Sequence, residues 1–186
     1  MRMGRRAALY RDLEALPENM VGEILAGTLY ASPRPSLPHA KASSRLGALL
    51  GGPFDLGTSG PGGWHLLDEP ELHLGEDVLV PDLGGWRRER LPRMPRIAAL
   101  SLAPDWVCEV LSPFSTAARD RGLKLPIYAR EGVPFVWFVD PDARTLEAFR
   151  LAGSRYESLA THTGTDPVRA EPFAALEFSL GVLWDE

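Results

Sequence analysis

Hydrophobic spacing changes character several times along the chain. Residues 8–16 (ALYRDLEAL) carry apolar positions at helical spacing, and Pro17 ends the run. Residues 21–33 (VGEILAGTLYASP) read as two short strands around Ala26-Gly27, with glycine supplying the positive φ of a hairpin turn. Ser36-Leu37-Pro38 reads as a helix entry, with serine at the cap and proline in the first turn. The spacing then predicts a helix to about Leu50, ended by Gly51-Gly52. A glycine- and proline-rich loop covers 51–63 and lacks the Gly-Lys-Ser/Thr ending of a phosphate-binding loop. Residues 64–74 (WHLLDEPELHL) are strand-like, with a proline that suits an edge or a bend. VLVPDL (78–83) predicts a short buried strand, and DWVCEVL (105–111) a strand apolar on both faces except for one glutamate. A helix is predicted over 116–131. Residues 133–141 and 144–151 form a hairpin over Asp140-Pro141-Asp142-Ala143, and 154–161 is a further strand. Strand 105–111, helix 116–131 and strand 133–139 make a β-α-β unit, and helices at both ends of a mostly β middle predict one α/β domain.

Composition narrows the class. The chain has 186 residues, one ordinary domain by length, and 45% of it is apolar, enough for a core without disulfides or structural metal. A net charge of −5 excludes a wholly basic nucleic-acid coat while leaving room for a local basic patch. The single cysteine, Cys108, excludes a disulfide framework and any multi-cysteine zinc site. Apolar stretches such as 133–139 are too short to span a membrane, and the basic start is interrupted at Arg11-Asp12, unlike a signal peptide. No membrane partner and a cytoplasmic location are expected.

Asp82 and Glu109 are each the lone acid of a short apolar run, Asp82 beside Pro81 and Glu109 inside VCEVL. A buried carboxylate costs several kcal/mol unless it is paired, protonated or metal-bound. Two such strands side by side would call for a hard divalent cation such as Mg2+; the plainer alternatives are a salt bridge from Glu109 to a core-facing arginine or a place on an edge face. Of the 20 basic residues only Lys41 and Lys124 are lysine. Lys124 follows Glu109 by 15 residues. It either forms a surface i,i+4 pair with Asp120 or turns an ammonium back toward Glu109. Pro126 crowds the carbonyl of Gly122, so the helix must start late, near Lys124, or kink there. Either arrangement predicts Lys124 pointing inward at an irregular turn. The sequence also predicts that Lys124→Arg impairs activity and leaves stability nearly unchanged. Cys108 alternates to the strand face opposite Glu109 and reads as core. His39, at the helix start, packs there or touches a phosphate or the metal; His65, His73 and His162 lack metal-ligand spacing. Residues 87–96 hold five arginines and one glutamate, a local +4, so Arg87, Arg88 and Arg90 read as phosphate contacts or as a solvated loop.

The string Pro104-Asp105-Trp106-Val107-Cys108-Glu109-Val110-Leu111-Ser112-Pro113 resembles the Uma-two family of restriction endonuclease candidates in the PD-(D/E)xK nuclease superfamily. So do Ser115-Thr116, Arg119-Asp120-Arg121-Gly122-Leu123-Lys124-Leu125, Tyr128-Ala129, Gly132-Val133 and Trp137-Phe138-Val139-Asp140-Pro141. Upstream, Gly22 to Gly27, Ser32-Pro33, His39 and Val80-Pro81-Asp82 fall in the family's order, so the likeness covers about residues 8–180. The resemblance implies a restriction-endonuclease-like α/β fold with a central mixed β-sheet flanked by helices. It makes Asp82 and Glu109 the two acids and assigns Glu23 as an additional one. Leu111 stands where the superfamily's lysine would be, and the resemblance moves that role to Lys124 on the next helix. Ala26 and Thr28 replace frequent acids at the hairpin, and Pro126 replaces an ordinary helix former.

The function so implied is metal-dependent hydrolysis of phosphodiesters in nucleic acid, DNA first. Asp82, Glu109 and the Val110 carbonyl hold Mg2+ or Mn2+, Lys124 positions a water, and Glu23 assists. A homodimer suits the cutting of two strands. The alternative is a catalytically inactive nucleic-acid- or protein-binding module of the same fold, and a third reading is a metal hydrolase of another phosphate ester.

Overall fold

The computed structural model describes residues 7–112 and 117–185. In chain order come α1 (Tyr10–Glu14), β1 (Met20–Leu25), β2 (Thr28–Pro33) and α2 (Leu37–Leu50). Then follow β3 (Trp64–Asp68), β4 (Glu71–Leu74), β5 (Asp77–Leu79), β6 (Leu83–Arg87), β7 (Ala99–Leu100) and β8 (Trp106–Val110). Next are α3 (Ala117–Arg119), α4 (Leu125–Arg130), β9 (Phe135–Asp140), β10 (Thr145–Ala152) and β11 (Arg155–Thr163). Thr116, the expected helix start, and Pro113 and Ser115 of the family-like string lie outside the described residues.

The predicted hairpin forms at Ala26-Gly27, where both residues adopt positive φ (49° and 76°), the geometry of a two-residue turn matched to strand twist. Helix α2 begins where expected. Ser36 Oγ accepts from the His39 N–H, and Pro38 sits in the first turn. Its buried residues His39, Ala42, Leu46 and Leu50 form one stripe at intervals of three and four. Gly51-Gly52 do not end it: the chain runs on as a π-helical segment, Gly51–Leu56, and turns only at Gly57 with φ 70°.

Two large sheets form, rather than one, beside a two-stranded pair of Pro167–Val168 and Phe178–Ser179. A mixed six-stranded sheet runs β11-β10-β9-β8-β6-β3, and a five-stranded sheet runs β2-β1-β5-β4-β7. The expected strand 64–74 is therefore two strands, split at Glu69-Pro70 and assigned to different sheets. Likewise 78–83 is not one strand: β5 ends at Leu79, the chain crosses between sheets through Val80-Pro81-Asp82, and β6 begins at Leu83. Strand β6 escapes an apolar-run search because Gly84-Gly85 interrupt it. A Cβ on Gly85 would stand 2.9 Å from Leu66 and 3.2 Å from Trp106, so only glycine admits those side chains.

The β-α-β unit is present, with β8 and β9 parallel, Glu109 opposite Phe138. Strand alternation sends Trp106, Cys108 and Val110 into the core beneath α2, with Trp137 and Phe173. Val107 and Leu111 face the other way, into a second core built from Ile127 and Tyr128 of α4 and Leu25, Leu72 and Leu79 of the second sheet. Cys108 is fully buried, and burial pushes its thiol well above the ordinary value, so it remains a protonated core side chain.

Candidate active site

Glu109 lies on the Val107 face of β8, between the two sheets, and is 2% exposed. Both its oxygens are held from one helical face. Lys124 Nζ donates to Oε2 at 2.9 Å, and Tyr128 Oη donates to Oε1 at 2.5 Å. The expected irregularity is there: Asp120–Lys124 is π-helical, α4 starts at Leu125, and Pro126 occupies its first turn. The widened turn lets Asp120, Lys124 and Tyr128 share one inward face.

Lys124 is not a surface partner of Asp120, because both are buried. Its ammonium lies 2.9 Å from Glu109 Oε2, 2.9 Å from Glu23 Oε1 and 3.3 Å from Asp120 Oδ1. Burial alone would lower the ammonium's pKa, but the three carboxylates, Glu109 first, outweigh it and hold the group firmly charged. Glu109 is pushed the other way. Burial, with the charges of Asp120, Asp82 and Glu23, raises it well above the usual carboxylate range against the opposing pull of Lys124. Tyr128 stays protonated because burial and then Glu109 raise its hydroxyl well above the usual value, so it remains a hydrogen-bond donor.

This crowding bears on the Lys124→Arg variant. A guanidinium in place of the Lys124 ammonium must overpack a site closed on three sides by carboxylates, at a cost of about 1–3 kcal/mol. Lys124→Arg is thus predicted to lose stability as well as activity. A melt that matches wild type would contradict the packing argument.

Glu23 comes from β1 in the second sheet and is buried, not the exposed strand acid its sequence context allows. Its Oε1 also accepts from the Val80 N–H at 2.9 Å, and Arg119 stands 3.6 Å from Oε2. Asp82 sits at the crossover between the sheets. Its Oδ2 accepts from the Val110 N–H at 2.7 Å, one residue beyond Glu109, and its Oδ1 faces His39 Nε2 at 3.1 Å. Burial lowers the His39 pKa, but the hydrogen bond and charge of Asp82, with a smaller contribution from the Val110 main chain, raise it overall. His39 therefore does more than pack the helix start: it orients Asp82.

Glu23, Asp82, Glu109 and Lys124 thus line one cavity of about 430 Å3, with Val110 and His39. Its other charged walls are Glu69, Asp120, Asp142, Arg34 and Arg119. The predicted arginines are not among them. The Arg87 guanidinium lies over the Trp64 ring at 4.7 Å, Arg88 pairs with Asp55 at 2.8 Å, and Arg90 pairs with Asp105 at 2.7 Å. Sequence reasoning passed over Tyr128, although it lies four residues after Lys124, the spacing that puts two side chains on one helical face. It also left Arg34 and Arg119 unassigned, because neither belongs to a charge run.

A divalent cation can be tested against these donors. The carboxylates of Asp82 and Glu109 offer hard oxygen in one cavity, with Val110 among its walls, the chemistry Mg2+ takes. Among the described residues the cavity's carboxylates (Glu23, Glu69, Asp82, Glu109, Asp120, Asp142) outnumber its permanent cations (Arg34, Arg119, Lys124), leaving negative charge to be offset. Among the described residues no three His, Cys, Asp or Glu side chains already form a cage. Mg2+ does not require one, since it binds through one or two carboxylates and keeps water in its remaining positions. The residues fit the ion.

Among the described residues no helix is long and apolar enough to cross a membrane. No curated protein matches the chain. A solved structure, a crystal structure titled as a putative nuclease belonging to DUF820 from Anabaena variabilis, matches with a TM-score of 0.76 and 21% identity over 93% of this chain and 94% of that one. The expected fold, α/β and restriction-endonuclease-like, is the one found. The Uma2 family, described as "Putative restriction endonuclease", matches residues 8–182, and so the chain, from the β1–β2 hairpin through the Asp82 crossover to the strands beyond Lys124, belongs to the Uma2 family.

Proposed function

We propose that the protein is a metal-dependent endonuclease that hydrolyses phosphodiester bonds in nucleic acid, DNA first. The observation that carries this reading is the meeting of Asp82, Glu109, Glu23 and Lys124 in one cavity. Family membership and the fold shared with the Anabaena variabilis protein support it. Asp82, Glu109 and the Val110 carbonyl would hold Mg2+ or Mn2+. When bound, such an ion supplies a water of lowered pKa and neutralises charge on the phosphate. The chain's own side chains do the rest. Lys124 sets an ammonium beside Glu109, where an attacking water needs orientation and developing negative charge needs a partner. Tyr128 and Lys124 fix the Glu109 carboxylate in one rotamer. His39 and the Val110 N–H do the same for Asp82, and Glu23 shares Lys124. Cutting both strands of a duplex at so small a site calls for two copies of the chain acting together.

Plasmid DNA incubated with Mg2+ or Mn2+, beside a chelated control, tests the reading. Nicking that requires the metal is expected. No cleavage of DNA or RNA with either metal would leave a binding module. A second expectation concerns stability: at a hundredfold excess over Kd, the ion should stabilise the fold by about 2.7 kcal/mol. A melting temperature indifferent to either ion at millimolar concentration would remove the metal from the proposal.

Tyr128→Phe tests the positioning of Glu109. It removes a buried hydrogen bond to a charged group, a loss of about 1.5–3 kcal/mol. It should also weaken Mn2+ binding about 10- to 100-fold, the usual effect of removing a ligand's own hydrogen-bond partner. A titration matching wild type would leave Tyr128 a core residue only.

A further inference from the structure

The geometry points to Arg34, backed by Arg119, as the phosphate contact of this cavity, with the nucleic-acid strand approaching across the β1–β2 hairpin. The inference rests on the nuclease reading above and adds which face of the protein the substrate uses. Among the described residues the cavity has three permanent cations in its walls. Lys124 is buried among three carboxylates and does not reach the surface where a strand arrives. Arg119 is mostly buried. One terminal nitrogen donates to Ser32 Oγ at 3.0 Å and lies 3.6 Å from Glu23, and its Nε is buried without a partner among the described residues. Arg34 differs from both. It is exposed at the cavity mouth, and its guanidinium makes no ion pair or hydrogen bond among the described residues. Pro33 and Pro35 flank it, so two of the neighbouring φ angles are fixed and its backbone has little freedom left to lose on binding.

The remainder of the surface supplies a direction. A second cavity, of about 330 Å3, adjoins the first and shares Pro35, His39, Glu69 and Asp82 with it. Its charged walls among the described residues are Asp55, which is paired with Arg88, and Asp68, Glu69 and Asp82; no described lysine or arginine lines it. Both cavities are acidic, but among the described residues only the first offers a polyanion an exposed cation, Arg34. The Arg87–Arg90 run cannot serve in its place, because Arg88 and Arg90 are already neutralised by Asp55 and Asp105 and none of its arginines reaches the cavity. A strand that reaches Asp82 and Glu109 therefore lies over Arg34 and stops short of the second cavity.

The test is binding of a fluorescein-labelled 20-nucleotide DNA, single-stranded and as a duplex, in Ca2+ at several salt concentrations. Wild type, Arg34→Ala, Arg88→Ala and Ser44→Glu are compared; Ser44 is an exposed α2 residue lining the second cavity. Arg34→Ala should reduce the slope of log K against log salt by about 0.9 on duplex and about 0.7 on single strand. That is roughly an eightfold loss of duplex affinity at 0.1 M salt. Arg88→Ala and Ser44→Glu should keep the wild-type slope and affinity. If wild type binds and Arg34→Ala keeps its slope, the contact is overturned while the nuclease reading stands. If Ser44→Glu weakens binding as much as Arg34→Ala does, the direction of approach is overturned. If wild type binds neither DNA, the nucleic-acid reading itself fails and takes this inference with it.

Discussion

Glu109→Gln should lose metal-dependent cleavage by at least about 10³-fold, close to 4 kcal/mol of barrier, while its melting temperature stays within about 4 °C of wild type. The two halves of this expectation have one cause. Glu109 sits in a cluster with more carboxylates than cations, and burial with the charges of Asp120, Asp82 and Glu23 disfavours its ionised form. Glutamine keeps the shape and removes the charge. The amide oxygen can still accept one of the two hydrogen bonds now made by Lys124 and Tyr128, and Lys124 retains Glu23 and Asp120. The structure thus loses one ionic hydrogen bond and is relieved of one crowded charge, two effects of similar size and opposite sign. Chemistry gets no such relief, since a neutral amide is a poor ligand for Mg2+. The variant should also lose most of the stabilisation that millimolar Mg2+ gives wild type. Cleavage by Glu109→Gln within tenfold of wild type would remove Glu109 from the metal's ligands, whatever the melt shows.

How much of this was legible before the structure differs from residue to residue. Glu109 stood out as the lone acid inside Val107-Cys108-Glu109-Val110, but its partner Tyr128 became visible only in the fold. Lys124 was placed by Pro126, whose ring forbids a regular helix through Gly122. The π-helical turn Asp120–Lys124 is the chain's solution, and it is also what turns the ammonium inward. Asp120 was hidden for another reason: an i,i+4 acid reads as a solvated surface partner until the lysine it shares a face with is known to point inward. The two-sheet architecture was not legible. Strands β3 and β4, and likewise β5 and β6, are separated by two or three residues of uninterrupted patterning, and hydrophobic alternation records burial without recording which sheet a strand joins. Asp82 gained its place from that unread feature, since it stands at the crossover where the sheets meet. The arginine run misled for a simple reason: local charge density in a sequence takes no account of Asp55 and Asp105, which come from elsewhere in the chain to neutralise it.

Removing the lysine should give the largest loss of stability. In Lys124→Met an apolar side chain of similar length fills the space, but Glu23, Glu109 and Asp120, all at most 4% exposed in their side chains, lose their shared cation. Breaking a buried ionic group by removing one partner costs about 3–5 kcal/mol. Arg119, 3.6 Å from Glu23, offsets only part of it. The pH dependence carries a definite sign. Glu109 already has its carboxyl raised above the ordinary 4.5, and Lys124 is the largest influence opposing that rise, so its removal raises the folded-state value further. A group whose folded pKa is raised contributes stability that is fully present below the unfolded pKa and is lost as pH rises through the folded one. The variant's deficit relative to wild type should therefore be small near pH 4.5 and grow as pH rises through neutrality, where the cluster must ionise without its ammonium. Urea midpoints for both proteins at pH 5 and pH 8 measure this directly, at an unchanged slope. Activity should fall with the charge by about 10²- to 10⁴-fold, the range for a group that moves or orients a proton in the transition state. A deficit of equal size at both pH values would trace the loss to packing and leave Lys124 without the electrostatic role that the three carboxylates give it.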